Sequence, residues 1–389
     1  MREAVIVGAA RTPVGKARGA LAPVPAHRLG SLVINEAIER AGIDPAEIEE
    51  VIFGNLFAFD YANMARVAGL DSRLLIETPA ITVNRQCASS LSAFSLASAM
   101  IISGQADALV AGGVECDSRR PYVMEKPQQA WQMTPPQWIY YMAAPKKEDN
   151  INMIETAENV AERFGITRED CDEFSVESHR KAAAAWDAGR FDSQVVPVEV
   201  PGPKGQVSLF EKDESLRPDT SMEILAKLKP VLKENGVVTA GNSSPMNDGA
   251  GAVVVMEADK AKALGMRALA KFVSSATVGL DPKVMGLGPV YAVRKLLKNT
   301  GRSLDDIDLI EMNEAFAAQS LACVRELGIR MDRLNVNGGA IALGHPLAAT
   351  GSILLTKMVY ELERADLHSG LITFCAAGGQ GAAVLIERE

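Results

Sequence analysis

Residues 37–55, AIERAGIDPAEIEEVIFGN, and residues 295–314, KLLKNTGRSLDDIDLIEMNE, follow one plan at two places in the chain. Each runs from an amphipathic helix through a glycine into a short acidic turn and then a strand. The two glycines, Gly42 and Gly301, lie 259 positions apart. Glycine commonly ends a helix because it adopts left-handed backbone at little cost. The two stretches therefore predict an internal repeat.

A second pair of segments supports the repeat. Val83 and Asn84 lead through a loop and a helix of small residues to a strand that ends AGG at 111–113; residues 336–337 lead in the same way to AGG at 377–379. Strands such as AVIVGAA, DALVAGG, GAVVVMEA and LITFCAAGG are apolar on both faces, which predicts sheets covered by helices on each side. We predict a layered α/β fold built from two halves. Chance similarity, which any α/β protein yields, is the alternative.

One long segment interrupts the pattern. Residues 119–245 contain prolines, aromatic residues and long helical stretches, and strand character returns at 248–258, DGAGAVVVMEA. We predict an N-terminal half from residues 1–118 and 246–265, an inserted domain over 119–245, and a C-terminal half over 266–389.

Composition limits the possible partners. The 389 residues are 48% hydrophobic and 23% charged, which is typical of a globular protein with a sizeable core. A net charge of -9 makes nucleic acid or an anionic membrane a poor partner. The N-terminal apolar run is too short for a signal peptide. No run approaches the roughly 18 apolar residues that would span a bilayer, so we expect a soluble protein without stable membrane insertion. The five cysteines, without a CxxC motif, favour free thiols in a reducing cytosol or matrix compartment, and we expect a cytoplasmic protein.

Cys87, in VNRQCASSLSA, is the first candidate catalytic residue. It precedes a stretch, ASSLSAFSLASAMIISG, that predicts a buried helix ending near Gly104. The positive end of the helix dipole favours thiolate, but an unassisted thiol is only slightly ionised at neutral pH and needs a base. A buried, inert cysteine is the alternative.

His345, in NVNGGAIALGHPLAATG, is the candidate base. It follows a glycine-rich loop and precedes Pro346, which suits the first turn of a helix because it fixes φ and lacks a donor. A histidine held in that turn can accept a proton near neutrality. A histidine that is satisfied by the backbone at a helix start remains the alternative.

Two more residues end strands. Cys375, in LITFCAAGGQGAAVL, precedes a glycine-rich turn whose N–H groups could point into a cleft. Asn313, in EMNEAFAAQ, lies at a strand-to-helix junction. The alternatives are a core cysteine and a helix cap. By the repeat, Asn313 corresponds to Gly54 and the loop of His345 to that of Cys87, so paired halves would bring these loops to one interface.

The four segments together resemble the thiolase family, the acetyl-CoA acyltransferases. Cys87 in NRQCASS, NEAFA at 313–317, GHP at 344–346 and Cys375 in CAAGGQG match its signature loops in order, and the similarity covers essentially the whole chain. The resemblance implies a five-layered αβαβα arrangement, with 119–245 as a loop domain over the coenzyme A site. It implies no metal and no redox cofactor, since coenzyme A is a substrate.

The resemblance also implies a role for each residue. Cys87 would attack the keto carbonyl of a 3-ketoacyl-CoA and form an acyl-enzyme, while His345 takes the thiol proton. Cys375 would protonate the acetyl-CoA enolate, or remove the α-proton in the reverse Claisen condensation. His345, with Asn313 through a water, would hold the enolate oxygen. Backbone N–H groups of Cys87 and Ala377 would hold the other oxyanion.

Contacts with coenzyme A follow less directly from the resemblance. It places Arg217, Leu225 and Ser244 around the nucleotide and pantetheine, and Phe316 and Met153 along the pocket. Surface or core roles are the alternative for these common residue types. Partners implied are acyl-CoA and CoA, a second copy in a homodimer or homotetramer, and a possible β-oxidation partner subunit.

The chain departs from the family pattern at several positions. Ala377 and Ala348 stand where glycine is common, and Asn152 where histidine is frequent. Most divergent is the stretch at 119–142, with Trp131, Trp138, Tyr140 and Tyr141 among its aromatic residues. A shaped acyl pocket, a partner surface or ordinary packing would each use them.

The chain is thus predicted to be a thiolase of undetermined acyl-chain preference. The alternatives are a decarboxylating ketosynthase, against which Cys375 argues because decarboxylation needs no second thiol base, and a catalytically silent lipid-binding or scaffold subunit.

Overall fold

The computed structural model describes residues 2–127, 129, 131, 135–139 and 141–388. Tyr140, one of the aromatic residues noted above, lies outside the described residues. The strands are β1 (Ala4–Arg11), β2 (Gly15–Lys16), β3 (Glu50–Gly54), β4 (Ala80–Val83), β5 (Ala108–Cys116), β6 (Val198–Pro201), β7 (Val207–Phe210), β8 (Asn247–Glu257), β9 (Ala270–Gly279), β10 (Leu309–Met312), β11 (Ser369–Ala376) and β12 (Gln380–Glu387).

Helices alternate with these strands in both halves. They are α1 (Ala26–Ala41), α2 (Met64–Leu70), α3 (Ser89–Ser103), α4 (Met153–Phe164), α5 (Arg168–Asp187), α6 (Met222–Leu225), α7 (Ala258–Ala263), α8 (Gly288–Thr300), α9 (Ala317–Leu327), α10 (Ala340–Leu343) and α11 (Thr350–Arg364).

The two halves share one sheet topology. The first half has the order β4-β3-β5-β8-β1 and the second the order β10-β11-β12-β9. In each, two antiparallel pairings, β1–β8–β5 and β9–β12–β11, are followed by a parallel one, β5–β3 and β11–β10. Ile310 of β10 also forms a parallel bridge with Leu334. Leu334 thus occupies the position beside β10 that β4 occupies beside β3 in the first half. The halves join where Val5 and Ile6 of β1 pair with Lys271 and Ala270 of β9.

The repeat found in the sequence matches the backbone closely. Gly42 and Gly301 each follow the last residue of a helix, and each glycine has a φ of 68°. Each is followed by a turn of 3-10 helix, Pro45–Glu47 or Leu304–Asp306, and then by a strand. Because left-handed backbone at these points strains any residue with a Cβ, the two glycines end their helices at equivalent positions.

Three hydrophobic clusters define the layers. One packs α1 and α2 against the first sheet, and another packs α8 and α9 against the second. The third places α3 and α11 between the two sheets. The order helix, sheet, helix, sheet, helix is the five-layered αβαβα arrangement expected from the resemblance.

The central position of α3 explains its composition. Gln86–Ser103 is the one stretch in the described part of the chain long and apolar enough to cross a membrane, although 56% of it is buried inside the protein. The expectation that no run approaches this length was therefore too strict. Residues 89–94 of α3 are buried between the two sheets, which favours apolar side chains on every face, whereas Leu96 and Ile102 farther along the helix are 48% and 39% exposed.

Residues 119–245 add helices to the repeat. They contain α4, α5, α6 and the hairpin of β6 and β7, after which β8 inserts between β1 and β5. Arg11 of β1 ties this segment to the sheet through a buried ion pair with Asp213, 2.8 Å between Nη1 and Oδ1, and a hydrogen bond to Gln194. The boundaries proposed for the three domains stay predictions.

Candidate active site

Cys87 lies in a strained loop just before the central helix α3. Gln86 has a φ of 53°, in the left-handed region that residues with a Cβ rarely adopt. Ser89, the first residue of α3, holds the loop: its Oγ accepts from the backbone N of Arg85 at 2.8 Å and donates to the carbonyl of Gln86 at 2.6 Å. The helix ends before Gly104, as predicted.

The thiol of Cys87 is protonated at rest. Burial raises its pKa to about 11, and Glu115 adds to the rise, while the backbone N–H groups of Ala377 and of Cys87 itself lower it. Those two N–H groups thus both interact with the sulfur, and they are the pair that the resemblance to the thiolase family implies as an oxyanion site. The helix dipole alone does not ionise this thiol, so a base is needed.

Cys375 is 1% exposed at the end of β11 and lies beside Cys87. Burial raises its pKa well above the usual range, and electrostatic interactions with Cys87 and Cys323 raise it further. Apolar side chains surround it, among them Phe316 and Met153. The turn that follows has positive φ at Gly378 and Gly379 but not at Ala377, so an alanine fits where the family often has glycine.

His345 is 4% exposed and held on three sides. Its backbone N donates to Asn247 Oδ1 at 2.8 Å, its Nδ1 lies 2.7 Å from Thr350 Oγ1, and its Nε2 lies 3.4 Å from Asn313 Nδ2. Donation of Nδ1–H to Thr350 leaves the lone pair on Nε2 free to take a proton. Burial lowers its pKa to about 4, so the resting imidazole is neutral.

The backbone around His345 differs from the sequence prediction. Pro346 precedes a short 3-10 turn, Leu347–Ala349, and the α-helix α11 begins only at Thr350. The histidine therefore stands in the loop rather than in the first turn of a helix. It is Thr350, the first residue of α11, that orients the imidazole.

Asn313 follows the end of β10 and faces the imidazole. Its backbone N donates to the carbonyl of Thr373 on β11 at 3.0 Å, which fixes it beside the strand that carries Cys375. The cap of the next helix is Phe316, so Asn313 does not act as a helix cap. Its Oδ1 is buried without a hydrogen-bond partner among the described residues. A buried, unsatisfied amide beside His345 is suited to a substrate or water.

Direct contacts bring the His345 loop to the Cys87 loop. A Cβ on Gly351 would lie 2.3 Å from the backbone N of Leu91, and Ser352 N donates to Ser90 Oγ at 2.9 Å. The first turns of α3 and α11 thus touch immediately after the two loops. The sequence predicted this meeting from the repeat.

Glu115 is a buried acid that sequence reasoning missed. Its carboxylate accepts from the backbone N of Leu56 at 3.1 Å, of Phe57 at 3.2 Å and of Ala348 at 3.4 Å. Burial raises its pKa to about 8, while these N–H groups lower it. It joins the loop after β3 to the loop that carries His345. An acid inside the apolar strand DALVAGGVEC was the available signal.

Comparison with known proteins identifies the fold and the site together. The family model described as the N-terminal domain of thiolase matches residues 4–259, and that of the C-terminal domain matches residues 266–388. The chain belongs to the thiolase family. Thiolases are acyltransferases, and this chain is one of them.

Individual thiolases are similar over their full length. The acetyl-CoA acetyltransferase of Pseudomonas aeruginosa is 46% identical, with 100% of both chains covered. The crystal structure of the Bacillus anthracis acetyl-CoA acetyltransferase superposes with a TM-score of 0.95 at 40% identity, over 100% of this chain and 99% of that one. Human mitochondrial 3-ketoacyl-CoA thiolase, solved in complex with CoA, gives a TM-score of 0.94 at 37% identity, over 100% and 98%.

The residues predicted to contact coenzyme A separate into two groups in this thiolase. Arg217 and Leu225 line one cleft, with a volume of about 200 Å³, together with Lys16 and Ser243. The backbone N of Arg217 donates to His179 Nδ1 at 3.3 Å, and burial lowers the pKa of this histidine to about 4. The cleft therefore carries a lysine and an arginine cation, the acid Asp219 and a neutral imidazole.

The second group lies nearer the catalytic thiols. Ser244 donates through N and Oγ to the carbonyl of Ala315, at 3.0 Å and 3.1 Å. Phe316 and Met153 pack around Cys375 rather than in the cleft of Arg217. Asn152, which replaces a histidine frequent in the family, accepts from the N of Glu155 at 2.8 Å and caps α4.

Other positioning residues also escaped prediction. Asn247 and Thr350 fix His345, and Tyr141 contacts Gln86 beside Cys87. Their residue types are common, and only the fold brings them to the site. In the described part of the chain, no group of three or more His, Cys, Asp or Glu is arranged to hold a metal ion.

Proposed function

We propose that this thiolase cleaves a 3-ketoacyl-CoA with CoA to give acetyl-CoA and a shortened acyl-CoA, or runs the reverse Claisen condensation, through an acyl-Cys87 intermediate. The observation that carries the proposal is the pair of thiols: the buried Cys375 interacts electrostatically with Cys87, with the neutral imidazole of His345 and the amide of Asn313 beside β11. A neutral base next to a protonated nucleophile is the state in which attack begins.

The first step forms the carbon–sulfur bond. His345 Nε2 accepts the proton of Cys87, and the sulfur attacks the keto carbon of the substrate. The N–H groups of Cys87 and Ala377 are placed to bind the oxyanion, and loss of one such donor typically costs about 3 kcal/mol. Collapse of the adduct breaks the bond between the α and keto carbons and leaves an acyl-thioester on Cys87.

The second thiol completes the reaction. The departing electron pair is the enolate of acetyl-CoA, whose oxygen would bind His345 and Asn313, and Cys375 gives it a proton. The Cys375 thiolate then accepts the proton of the incoming CoA thiol, which attacks the acyl-thioester. Cys87 leaves as a thiolate and recovers its proton from His345. The proton that Cys375 gave to acetyl-CoA is replaced by the proton of the CoA thiol, so both thiols and the imidazole end in their starting protonation states.

Coenzyme A would bind in the cleft of Arg217 and Leu225, where Lys16 and Arg217 supply positive charge for phosphate groups. It is the substrate, and the steps above use no metal or redox group. We also propose a cytoplasmic homodimer or homotetramer that works in fatty acid β-oxidation. The absence of a CxxC motif and the free state of all five cysteines support a reducing compartment.

The test follows the loss of 3-ketothioester absorbance when purified protein is given acetoacetyl-CoA and CoA. Cys87→Ala should lower the rate by about 10³-fold or more, because a removed nucleophile leaves only binding and oxyanion stabilisation. Cys171→Ala is the matched control, since this buried thiol of α5 belongs to the hydrophobic cluster of α8 and α9 and not to the cluster that holds Cys375. Mass spectrometry should find the acyl group on the Cys87 peptide.

A protein that cleaves no 3-ketoacyl-CoA of any chain length, while remaining folded, would contradict the proposal and favour the scaffold alternative.

A further inference from the structure

A second, larger cleft opens beside the catalytic cysteine. Its volume is about 770 Å³, and the side chains that decide its character are Phe59, Tyr122, Trp138, Ile139, Tyr141 and Met246. Ligand pockets in proteins commonly measure about 300–1,000 Å³ and are mainly apolar. The size and lining of the cleft are therefore those of a small-molecule site.

Two residues of the cleft lining contact the catalytic loops. The hydroxyl of Tyr141 accepts from Gln86 Nε2, next to Cys87. Met246, also in the lining, pairs through its backbone with His345. The lining of the cleft thus touches both the loop of Cys87 and the loop of His345.

The cleft is separate from the one proposed for coenzyme A. Pro245 lines the cleft of Arg217, and the next residue, Met246, lines the larger cleft. The two clefts thus lie on either side of the strip of chain just before β8, next to the loop of His345. The cleft of Arg217 would hold the nucleotide of coenzyme A, which leaves the larger cleft for the acyl group.

Several large aromatic side chains of the cleft are exposed to solvent, although burial of their apolar surface would be favourable. Tyr122 is 84% exposed, Trp138 56% and Phe59 55%. Tyr122 and Trp138 form one aromatic pair, with ring centroids 5.5 Å apart, and Tyr141 packs edge-on against Phe57 at 4.9 Å. Large exposed apolar patches in soluble proteins commonly mark binding sites.

The charged side chains of the cleft are Arg18, Arg120 and Asp117. Both arginines interact with Asp117, and Arg120 lies 3.6 Å over the ring centroid of Phe57. The rest of the lining is mainly aromatic and aliphatic.

We propose that this cleft binds the acyl group of the substrate and selects 3-ketoacyl-CoA esters whose acyl group is apolar and much larger than acetyl, with an aromatic ring as the best fit. The inference rests on the proposed thiolase reaction. It gives a role to the aromatic stretch 119–142.

The experiment measures kcat/KM for acetoacetyl-CoA, 3-oxo-5-phenylpentanoyl-CoA and 3-oxoadipyl-CoA with the wild type and with Trp138→Ala. The wild type should prefer the phenyl ester. Trp138→Ala should lower the ratio of the phenyl ester to acetoacetyl-CoA by about tenfold, a typical loss for an apolar contact of this size. Trp131→Ala is the matched control, because Trp131 belongs to the same stretch, is 92% exposed and does not line the cleft. Its ratio should equal that of the wild type.

Preference for 3-oxoadipyl-CoA, preference for acetoacetyl-CoA, or an unchanged ratio in Trp138→Ala would each overturn the inference. If that variant instead changes the sedimentation coefficient, the cleft is a subunit contact and the inference is wrong. Cleavage of acetoacetyl-CoA alone contradicts this inference and leaves the thiolase reaction intact, whereas cleavage of none of the three esters contradicts both.

Discussion

At the scale of single residues, the site is set for proton transfer by opposite shifts of pKa. Burial raises the pKa of the Cys87 thiol to about 11 and lowers that of His345 to about 4. Both shifts have one cause, since burial disfavours the charged form of each group. The resting pair is therefore neutral, and charge appears only as the substrate binds and reacts.

The lowered pKa of His345 predicts a pH-dependent stability. An imidazole with a pKa of about 4 in the folded protein and about 6.5 when unfolded binds fewer protons in the folded state between these values. Its contribution to stability is present above about pH 6.5 and is lost as the pH falls toward 4.

His345→Asn should therefore lose less stability than the wild type between pH 7 and pH 4, measured from urea unfolding midpoints. His179→Asn provides the comparison for the pH dependence of stability. Burial lowers the pKa of His179 to about 4 as well, but His179 lines the cleft of Arg217 and not the catalytic site. Equal pH dependence in wild type and His345→Asn would refute the assignment of a buried neutral imidazole.

At the scale of elements, the central helix α11 is fixed by a buried charge. Lys357 Nζ lies 2.8 Å from Glu311 Oε2 on β10 and donates to the carbonyl of Gly338 at 2.9 Å. The two side chains are 2% and 5% exposed. The contact joins the helix to the strand that leads to Asn313 and to the loop that leads to His345.

Lys357→Met should lower the free energy of unfolding by about 3–5 kcal/mol, because it leaves Glu311 buried without its cation and near Glu314 and Glu361. The double variant Lys357→Met, Glu311→Leu should recover much of the loss, since it removes the unpaired charge as well. Urea denaturation measures both. A single variant as stable as the wild type would show that the pair does not secure α11.

At the scale of the whole molecule, the site depends on how closely the two halves approach. Gly351 of α11 has no room for a methyl group against the backbone of α3, with a Cβ-to-nitrogen distance of 2.3 Å to Leu91. Gly69 of α2 is also helical, but its nearest contact would be 3.9 Å from Val51. The two glycines offer a matched comparison of packing and helix propensity.

Gly351→Ala should destabilise the protein by about 1–3 kcal/mol or more, the usual effect of overpacking, and should also reduce thiolysis because α3 and α11 carry the loops of Cys87 and His345. Gly69→Ala should stabilise it by up to about 1 kcal/mol, since alanine favours the helix. Thermal unfolding and the acetoacetyl-CoA assay give both readouts. Full activity in Gly351→Ala would mean that the interface tolerates displacement.

The sequence predicted the repeat and the candidate nucleophile, base and second thiol because these are local signals. Glycine ends a helix wherever the chain must turn left-handed, as at Gly42 and Gly301, and apolar strands stay apolar in any α/β fold. Glu115, Thr350 and Asn247 gave no comparable signal, since their roles arise from partners far along the chain. Pro346 misled the prediction of the helix start for the same reason: a local preference for a first turn did not decide where α11 begins.

The sequence by itself thus determined the two-half α/β plan and the residues with chemical capacity, because periodicity and residue type act over a few neighbours. Only the tertiary structure decided which groups meet and how they are protonated. Packing of α3 on α11 joins distant loops, and burial between the sheets keeps Cys87 as a thiol and His345 neutral. Desolvation depends on the whole surrounding fold, which no short segment encodes.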